Sequence, residues 1–402
     1  MNNNIKIAII GGGPSGLALA KLLLLRNCKN VKIYERDVTK LDRIKGSSLD
    51  LHQDSGLRVV RECNLMDRFV ELSRPEGESI AFTDMYGSFG YRRPSLKMMS
   101  SGKPEIDRTE LRDLFLDSID PSIVEWDHHF LSLENKPDGQ IEISFKNGKK
   151  VLADLVIGAD GANSKVRPFV TDVKPVYAGI TLLQSEVDQP ERDCPLVNSW
   201  VDKGLLYALG QEKMIVAQAK GDGRMTTYAT FKKPESWHQS IDWKDRKSVI
   251  DTIESEYTGW NKHLVDIFDK STEIIPRPLY VLNQSWPSKS NITIVGDAAH
   301  VMPPFAGLGV NNAMLDALEL VIALDKNTDN IPKAIQEYEA SIFTRSTLAA
   351  QETKQAQEML HSTDALQSIR KIKMGSFAFL SSLLPLSINT LNYITDLIGY
   401  TK

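Results

Sequence analysis

The sequence is poor in the features that mark secreted, metal-binding and nucleic-acid-binding proteins. It contains only three cysteines, Cys28, Cys63 and Cys194. Their wide separation and odd number argue against a disulfide framework or a zinc site of paired thiolates, and favour a reducing compartment. The formal net charge is -4, so no positive field favours nucleic acid as a partner. We therefore predict a cytoplasmic globular protein that does not bind nucleic acid.

Long apolar segments are also missing. No basic segment precedes the first apolar run, which ends in glycines rather than at a cleavage site, so a secretory signal is disfavoured. The stretch 377–398 is apolar, but Pro385, Asn389, Asn392 and Asp396 interrupt it, and no run of about 18 apolar residues remains. We interpret this stretch as a pair of packing helices, which disfavours membrane contact.

Three classes of catalytic motif are absent as well. No serine lies in a G-x-S-x-G context, and the histidines form no spaced set of metal ligands. Only one glycine-rich dinucleotide fingerprint is present. A hydrolytic triad, a metal centre and a second nucleotide domain are therefore all unsupported.

The fingerprint that is present opens the chain. An apolar run at residues 5–10 is followed by Gly11-x-Gly13-x-x-Gly16 and then by an apolar helical pattern, and the next strand ends on Glu35. This order predicts a βαβ unit whose glycines permit a tight turn and a close approach of backbone to a pyrophosphate. Glu35 is placed to accept hydrogen bonds from ribose hydroxyls. A carboxylate there favours FAD or NAD over NADP.

The middle of the chain has a different texture. Strand-like segments separated by glycine turns indicate a second lobe with a mostly antiparallel sheet. They cover residues 178–187, 205–209, 214–219 and 225–231. A strand at 291–295 and a helix at 311–324 then resume the nucleotide fold, and residues 331–361 have the pattern of one long helix or two.

Two further segments identify the class. Residues 154–167 carry Asp160-Gly161 after an apolar strand, and residues 296–304 carry Gly296-Asp297-Ala-Ala-His after another. Together with the N-terminal glycines, they resemble the fingerprints of the class A flavoprotein monooxygenases, the para-hydroxybenzoate hydroxylase-like group. The whole chain looks most similar to the tetracycline-inactivating branch. The resemblance covers the first 170 residues and residues 280 to about 345 well, the middle lobe loosely and the last 40 residues hardly at all.

The resemblance implies an α/β fold. We predict a Rossmann-like FAD-binding domain of the glutathione reductase type, an inserted, mostly antiparallel β-sheet substrate domain, and a C-terminal helical segment. The predicted bounds are 1–72, 101–172 and 280–345 for the FAD domain, 73–100 and 173–279 for the substrate domain, and 346–402 for the C-terminal helices.

The same resemblance assigns roles near the flavin. Asp297 would bind the ribityl chain, although an aspartate at this position can also cap a helix. The turn Pro304–Asn311 would bring glycine backbone against the isoalloxazine ring, with helix amides near the flavin N1 and O2 edge. The sequence departs from the family at Leu308, where a glutamine is usual. This pocket is therefore predicted to be drier, and His300 is interpreted as structural.

Other assignments concern the adenosine and pyrophosphate. Arg112 would face the pyrophosphate, whereas Arg43 and Asp50 would lie near the adenosine and the flavin or else be solvated surface charges. Asp160 would contact flavin and reductant, or simply form an Asp-Gly turn. The complete predicted cofactor-binding set is Gly11, Gly13, Pro14, Ser15, Gly16, Glu35, Arg36, Arg43, Asp50, Arg112, Asp160, Gly296, Asp297, Pro304, Gly307, Gly309, Val310 and Asn311.

The implied activity is monooxygenation of a small aromatic or polycyclic molecule, possible substrates including tetracyclines. Tightly but non-covalently bound FAD, reduced by transient NAD(P)H, would react with O2 to give a C4a-hydroperoxide. No acid or base is required for oxygen transfer, and Phe305, Leu308, Val310 and Met302 would exclude water. Gln184 is a pocket candidate, or a polar edge-strand residue. We predict a monomer.

Two alternatives stay open within and beyond this class. The same FAD fold can serve a dehydrogenase or a Baeyer–Villiger-type oxygenation. A halogenase is disfavoured because the six tryptophans include no Trp-x-Trp-x-Ile segment. The other alternative is a flavin-binding protein without useful turnover, which the departure at Leu308 suggests.

Overall fold

The computed structural model describes residues 5–42, 46–93 and 103–373. The strands are β1 (Ile7–Ile10), β2 (Val31–Tyr34), β3 (Ser48–Asp50), β4 (Ile80–Asp84), β5 (Phe89–Arg93), β6 (Glu105–Asp107), β7 (Val124–Glu125), β8 (Phe130–Asn135), β9 (Ile141–Phe145), β10 (Lys150–Ala153), β11 (Leu155–Gly158), β12 (Val176–Val187), β13 (Leu205–Gly210), β14 (Lys213–Ala219), β15 (Met225–Lys232), β16 (Ile275–Val281) and β17 (Ile292–Ile294).

The helices follow the same chain order. They are α1 (Pro14–Leu25), α2 (Gly56–Glu62), α3 (Met66–Leu72), α4 (Arg108–Leu116), α5 (Arg167–Val170), α6 (Pro190–Asp193), α7 (Pro195–Val201), α8 (Arg246–Glu256), α9 (Lys262–Asp266), α10 (Gly309–Lys326), α11 (Ile331–Leu360) and α12 (Ala365–Lys373).

The chain divides into two compact units. Unit 1 comprises Met1–Leu72, Arg108–Val176 and Val281–Ala350, and unit 2 comprises Ser73–Asp107, Tyr177–Tyr280 and Gln351–Lys402.

Unit 1 is built around a parallel sheet in the order β17-β11-β1-β2-β7. All residues of β1 and β11 are buried, as expected for strands covered by helices on both faces. Ile10 lies opposite Gly158 and Tyr34, and Gly158 lies opposite Ile294. Four strands therefore end at the same level, so the residues that follow them meet at one edge of the sheet.

Unit 2 contains a seven-stranded sheet in the order β16-β12-β15-β14-β13-β4-β5. The pairs β12–β15, β15–β14, β14–β13 and β4–β5 are antiparallel, whereas β13–β4 is parallel. One face contributes alternate residues such as Leu183, Ala229 and Ile215 to a buried core that also includes Val249 and Phe268.

The predicted fold class is confirmed by this arrangement of a parallel nucleotide-type sheet and an inserted, mostly antiparallel one. The segment predicted as one long helix or two is a single helix, α11, and the division between the units falls inside it. The interpretation of residues 377–398 as packing helices lies outside the described residues. Among residues 5–42, 46–93 and 103–373, no helix combines the length and apolarity that a membrane span requires.

Candidate nucleotide-binding site

The glycine turn after β1 depends on backbone contacts that no side chain could share. A Cβ on Gly16 would lie 2.1 Å from the Gly11 carbonyl oxygen, and one on Gly11 would lie 2.4 Å from the Ala159 carbonyl oxygen. Gly11 has a φ of +113°, and its N–H donates to Tyr34 O at 3.0 Å. The glycines therefore let the start of α1 approach the ends of β1 and β11 directly.

The N-terminus of α1 is open to an anion. Its N-cap, Gly13, offers no side-chain cap, Pro14 occupies the first turn, and that turn contains no acidic residue. A Cβ on Gly13 would meet nothing within 4 Å, so there is open space beside this residue. Ser15 is buried and lies next to Gly296. Unsatisfied amides and the positive end of the helix dipole fit a phosphate here.

Glu35 is buried at the end of β2. Its Oε2 accepts from Gly12 N at 2.6 Å and its Oε1 from Asp37 N at 3.1 Å. These bonds orient the carboxylate beside the glycine turn. The position suits the predicted ribose contact, which stays a prediction. Arg36, the next residue, is exposed.

Arg112, on α4, is a buried guanidinium with spare donors. Its Nη1 donates to Lys40 O at 2.9 Å, and its Nη2 lies 3.9 Å from Asp37 Oδ2. Within the described part of the chain, Nε and Nη2 are buried without a hydrogen-bond partner. Buried polar groups nearly always have partners, so these two donors fit an anionic group of a ligand. Because Asp37 also bonds Glu35, Arg112 belongs to the same edge as the glycine turn.

Asp297 lies in a one-turn 3-10 helix, Gly296–Ala298, directly after β17. Its side chain reaches solvent, yet desolvation by the surrounding protein raises the pKa of its carboxyl, against the opposing charges of His300, Arg108 and Arg167. Asp297 is thus an accessible carboxylate whose charged form is disfavoured by the protein around it. The N-cap of this helix is Val295, so the capping alternative does not apply to Asp297.

Arg167 joins the two sequence-distant fingerprints and was not among the predicted site residues. Its Nε donates to Ala298 O at 2.8 Å, and its Nη2 donates to Ala162 O at 2.8 Å and to Asp297 O at 2.9 Å. Burial lowers the pKa of its guanidinium. Its place at the end of the Asp160-Gly161 segment was visible in the sequence, but its partners Asp297 and Ala298, more than a hundred residues away, were not.

The carboxylate of Asp160 accepts hydrogen bonds from its own loop. Its Oδ1 accepts from Ser164 Oγ at 2.5 Å, and its Oδ2 accepts from Lys165 N at 2.7 Å and Val166 N at 3.2 Å. The turn-forming alternative for this residue is therefore realised. A contact with flavin or reductant stays a prediction.

The predicted flavin loop leads into the uncapped start of α10. Gly307 adopts a left-handed φ of +63°, and the N-cap Leu308 makes no side-chain cap. Phe305 is buried, Pro304 is exposed, and residues 307–310 are half-buried. The first turn of α10 contains no acidic residue. Gly309, Val310 and their neighbours therefore present helix amides suited to negative charge.

Asn311 holds this loop against the segment that follows β3. Its Oδ1 accepts from His52 N at 2.8 Å and from Gly56 N at 3.2 Å. Its Nδ2 donates to Asp50 O at 2.9 Å and to Gly307 O at 3.2 Å. The side chain of Asp50 bonds His52 Nε2 at 3.1 Å. Asn311 thus holds these two segments together, and its predicted contact with flavin stays a prediction.

Three further residues bear on the predicted site. Asn312 was not predicted, yet its Nδ2 is a buried donor without a partner among the described residues. Arg43 lies outside the described residues. Gln184 is half-buried on β12 of unit 2, where its Oε1 accepts from Arg277 Nε at 3.3 Å.

A second buried group that sequence reasoning left unassigned lies around Asp316 on α10, which has no exposed surface. One of its oxygens accepts from Gly296 N and from His300 Nε2, both at 2.7 Å. The other oxygen pairs with Arg345 of α11, which also pairs with Glu319. This network fixes the turn that carries Asp297.

These features define a dinucleotide-binding edge of the kind used for FAD. The family model described as "FAD binding domain" matches residues 4–350, and the chain belongs to this family. It is 26% identical over 415 residues to the monooxygenase asqM of Emericella nidulans, covering 86% of this chain and 93% of that protein. It is also 26% identical to the 3-amino-4-hydroxybenzoate 2-monooxygenase of Streptomyces cremeus, with 90% of each chain covered.

Solved structures show the same fold. Klebsiella pneumoniae HpxO with FAD and uric acid superposes with a TM-score of 0.76 at 19% identity over 98% of both chains. Tetracycline destructase Tet(55) gives 0.73 at 19% identity over 96% of this chain and 99% of the other. The resemblance to class A flavoprotein monooxygenases is thereby confirmed. The chain is a flavin-dependent oxidoreductase of the monooxygenase family.

Replacing Gly13 separates cofactor binding from folding. A methyl group there meets no protein atom, so Gly13→Ala should leave the thermal stability of the FAD-free protein unchanged. It would nevertheless obstruct the approach of a pyrophosphate, and we expect FAD affinity to fall at least about tenfold, as measured by flavin fluorescence quenching. Gly16→Ala should lower both quantities, because its methyl group meets Gly11 O. Full FAD affinity in Gly13→Ala would contradict the placement.

The spare donors of Arg112 can be tested with an apolar replacement of similar length. Arg112→Met should raise the FAD dissociation constant about 10- to 100-fold, since hydrogen bonds to charged partners contribute about 1.5–3 kcal/mol. Arg112→Lys keeps the charge but not the fork and should lie between. Arg68→Met, at an exposed pair with Glu71, is the control. Equal affinity in the Arg112 and Arg68 variants would argue against the assignment.

Proposed function

We propose that the protein is an FAD-dependent monooxygenase that uses NAD(P)H and O2 to hydroxylate a planar aromatic or polycyclic small molecule. The observation that supports cofactor use most directly is the convergence of an uncapped α1, the carboxylate of Glu35 and the spare donors of Arg112 at one sheet edge. When bound, the flavin would accept a hydride and activate O2. The chain's own residues would bind it and exclude water.

The residues divide this binding among themselves. Gly13, Ser15 and Arg112 would hold the pyrophosphate, and Glu35 the ribose. Asp297, which is accessible to solvent, would accept from the ribityl hydroxyls. The uncapped start of α10 would stabilise negative charge on the reduced ring. Phe305, Leu308 and Val310 would keep water from the reacting edge.

The proposed substrate class rests on a row of side chains across unit 2. In the sheet register, Tyr228 of β15 lies opposite Gln184 of β12 and Val216 of β14, which in turn lies opposite Tyr207 of β13. The row continues to Phe82 on β4, opposite Tyr207. Directly opposed residues point to the same face of a sheet. One row thus presents three aromatic rings, ended by an amide.

The rings of this row are ordered and partly accessible. Phe82 and Tyr207 stack at 5.0 Å with only 9° between their planes. Tyr207, Tyr228 and Gln184 are half-buried, whereas Phe82 is buried. Such a surface offers van der Waals and ring contacts to a flat molecule, with phenol and amide groups to orient it.

The comparisons support the same class. The substrate named for the Streptomyces relative is an aromatic acid, and uric acid, bound by HpxO, is a planar heterocycle. The Tet(55) match makes tetracycline a candidate within this class. NAD(P)H would act transiently, because the sequence carries no second dinucleotide fingerprint.

Three measurements on the purified protein test the proposal. We expect a flavin absorption spectrum, NADPH or NADH oxidation stimulated by a compound from a panel of phenols, benzoates, purines and tetracyclines, and a product heavier by one oxygen that derives from 18O2. Stimulated oxidation without label incorporation would indicate a dehydrogenase instead. A protein that binds no flavin would refute the proposal.

The aromatic row makes a further prediction about affinity. Tyr207→Leu should raise the KM of the stimulating compound about 2- to 12-fold, because an aromatic pair contributes about 0.5–1.5 kcal/mol beyond buried area. Flavin content should not change. Tyr86→Leu, at an exposed turn of the same unit, should leave KM unaltered. Identical KM values in both variants would remove the row from the substrate site.

A further inference from the structure

His300 and Asp316 form a buried, ionisable pair at the turn that carries Asp297. His300 and Asp316 are both buried, and the His300 ring donates from Nε2 to an Asp316 oxygen that also accepts from Gly296 N. His300 N donates to Gly296 O at 2.9 Å, which closes the turn holding Asp297. The other ring nitrogen, Nδ1, is buried without a partner among the described residues. A neutral side chain could hold this turn without placing charge there.

The charges that bear on His300 favour its protonated form. Burial lowers the pKa of the imidazole, but the charge and hydrogen bond of Asp316 and the charge of Asp297 outweigh burial and the repulsion of Arg345, so the pKa is raised above 6.5. Asp316 itself remains ionised, because the opposing charges of His300 and Arg345 outweigh burial and lower its pKa.

We propose that His300 and Asp316 are positioning residues for FAD: they place a buried positive charge at the Gly296–Asp297 turn and couple FAD binding to the protonation of His300. This inference rests on the proposed placement of FAD at Asp297. A cofactor bound at Asp297 displaces water from this exposed carboxylate. The attraction between Asp297 and His300 is then less screened, which favours the cation further.

The direction of the pH dependence follows because the pKa of His300 is higher with FAD bound than without it. His300 is charged below pH 6.5 and loses this charge as the pH rises through its raised pKa. That pKa is higher still when FAD is bound. Between the two values, FAD binding takes up a proton, and FAD affinity falls as pH increases. The other charged or titratable groups around the pair are Arg167 and Arg108 near Asp297, and Glu319 and Tyr338 near Arg345 and Asp316.

The linked proton can be measured on the unaltered protein. FAD titrated into the FAD-free protein by calorimetry, in two buffers of different ionisation enthalpy, should show fractional proton uptake at pH values above about 6.5. Over the same range the dissociation constant, from flavin fluorescence, should rise by up to about tenfold per pH unit. FAD binding with no linked proton would overturn this inference alone. Failure to bind FAD at all would overturn the proposed function as well.

Variants assign the proton to His300. His300→Asn should abolish the pH step, and Asp316→Asn should move it to lower pH, because the counter-charge is removed. A purely structural role would weaken FAD binding equally at every pH. The control is His361→Asn in unit 2: His361 is buried, and desolvation lowers its pKa to about 4, so the step should persist there. A step retained in His300→Asn would overturn the assignment.

Discussion

The whole cofactor edge depends on one steric constraint, the absence of a Cβ at Gly11 and Gly16. With the Gly16 Cβ position only 2.1 Å from Gly11 O, the first turn of α1 can touch the end of β1. The amides of the first turn then lie at the sheet edge, because no side chain separates the helix from the strand. Glu35 reinforces this arrangement by accepting from Gly12 N. Any ligand that uses those amides must therefore lie against backbone, as a pyrophosphate does.

Beyond the glycines, the edge is assembled by buried polar groups rather than by apolar contact. Asp316 fixes the Gly296 turn, Arg167 links that turn to the Asp160 loop, and Asn311 binds the flavin loop to the segment after β3. Buried polar groups stabilise little in net terms, but they tolerate few alternative geometries. These bonds therefore add little to the stability of the chain but hold the edge in one arrangement, which a cofactor with many hydrogen-bonding atoms requires.

Sequence reasoning located the edge because its fingerprints are local. Gly11, Glu35 and Gly296 each follow a strand within a few residues, and the parallel sheet brings strand ends together by rule. The partners of these residues were harder to find. Asp316 lies inside a helix whose periodicity predicts only an apolar stripe, and Arg345 lies on a different helix. Nothing local marks either residue as a partner of His300. Arg112 was found only through family resemblance, since its burial and spare donors depend on the folded chain.

On the substrate side, sequence reasoning is limited because the pairing register of strands cannot be read from the sequence. Four of the seven strands of the unit 2 sheet, β12 to β15, were predicted near their observed bounds. A strand's period fixes only which residues alternate, not which residues oppose each other across strands. The row from Phe82 to Gln184 crosses five strands and includes the parallel pair β13–β4, which joins segments far apart in sequence. A shift of one residue in any pair would send its aromatic ring to the opposite face. The chemistry of this surface is therefore a property of register, so chains with the same cofactor edge can present different surfaces to their substrates.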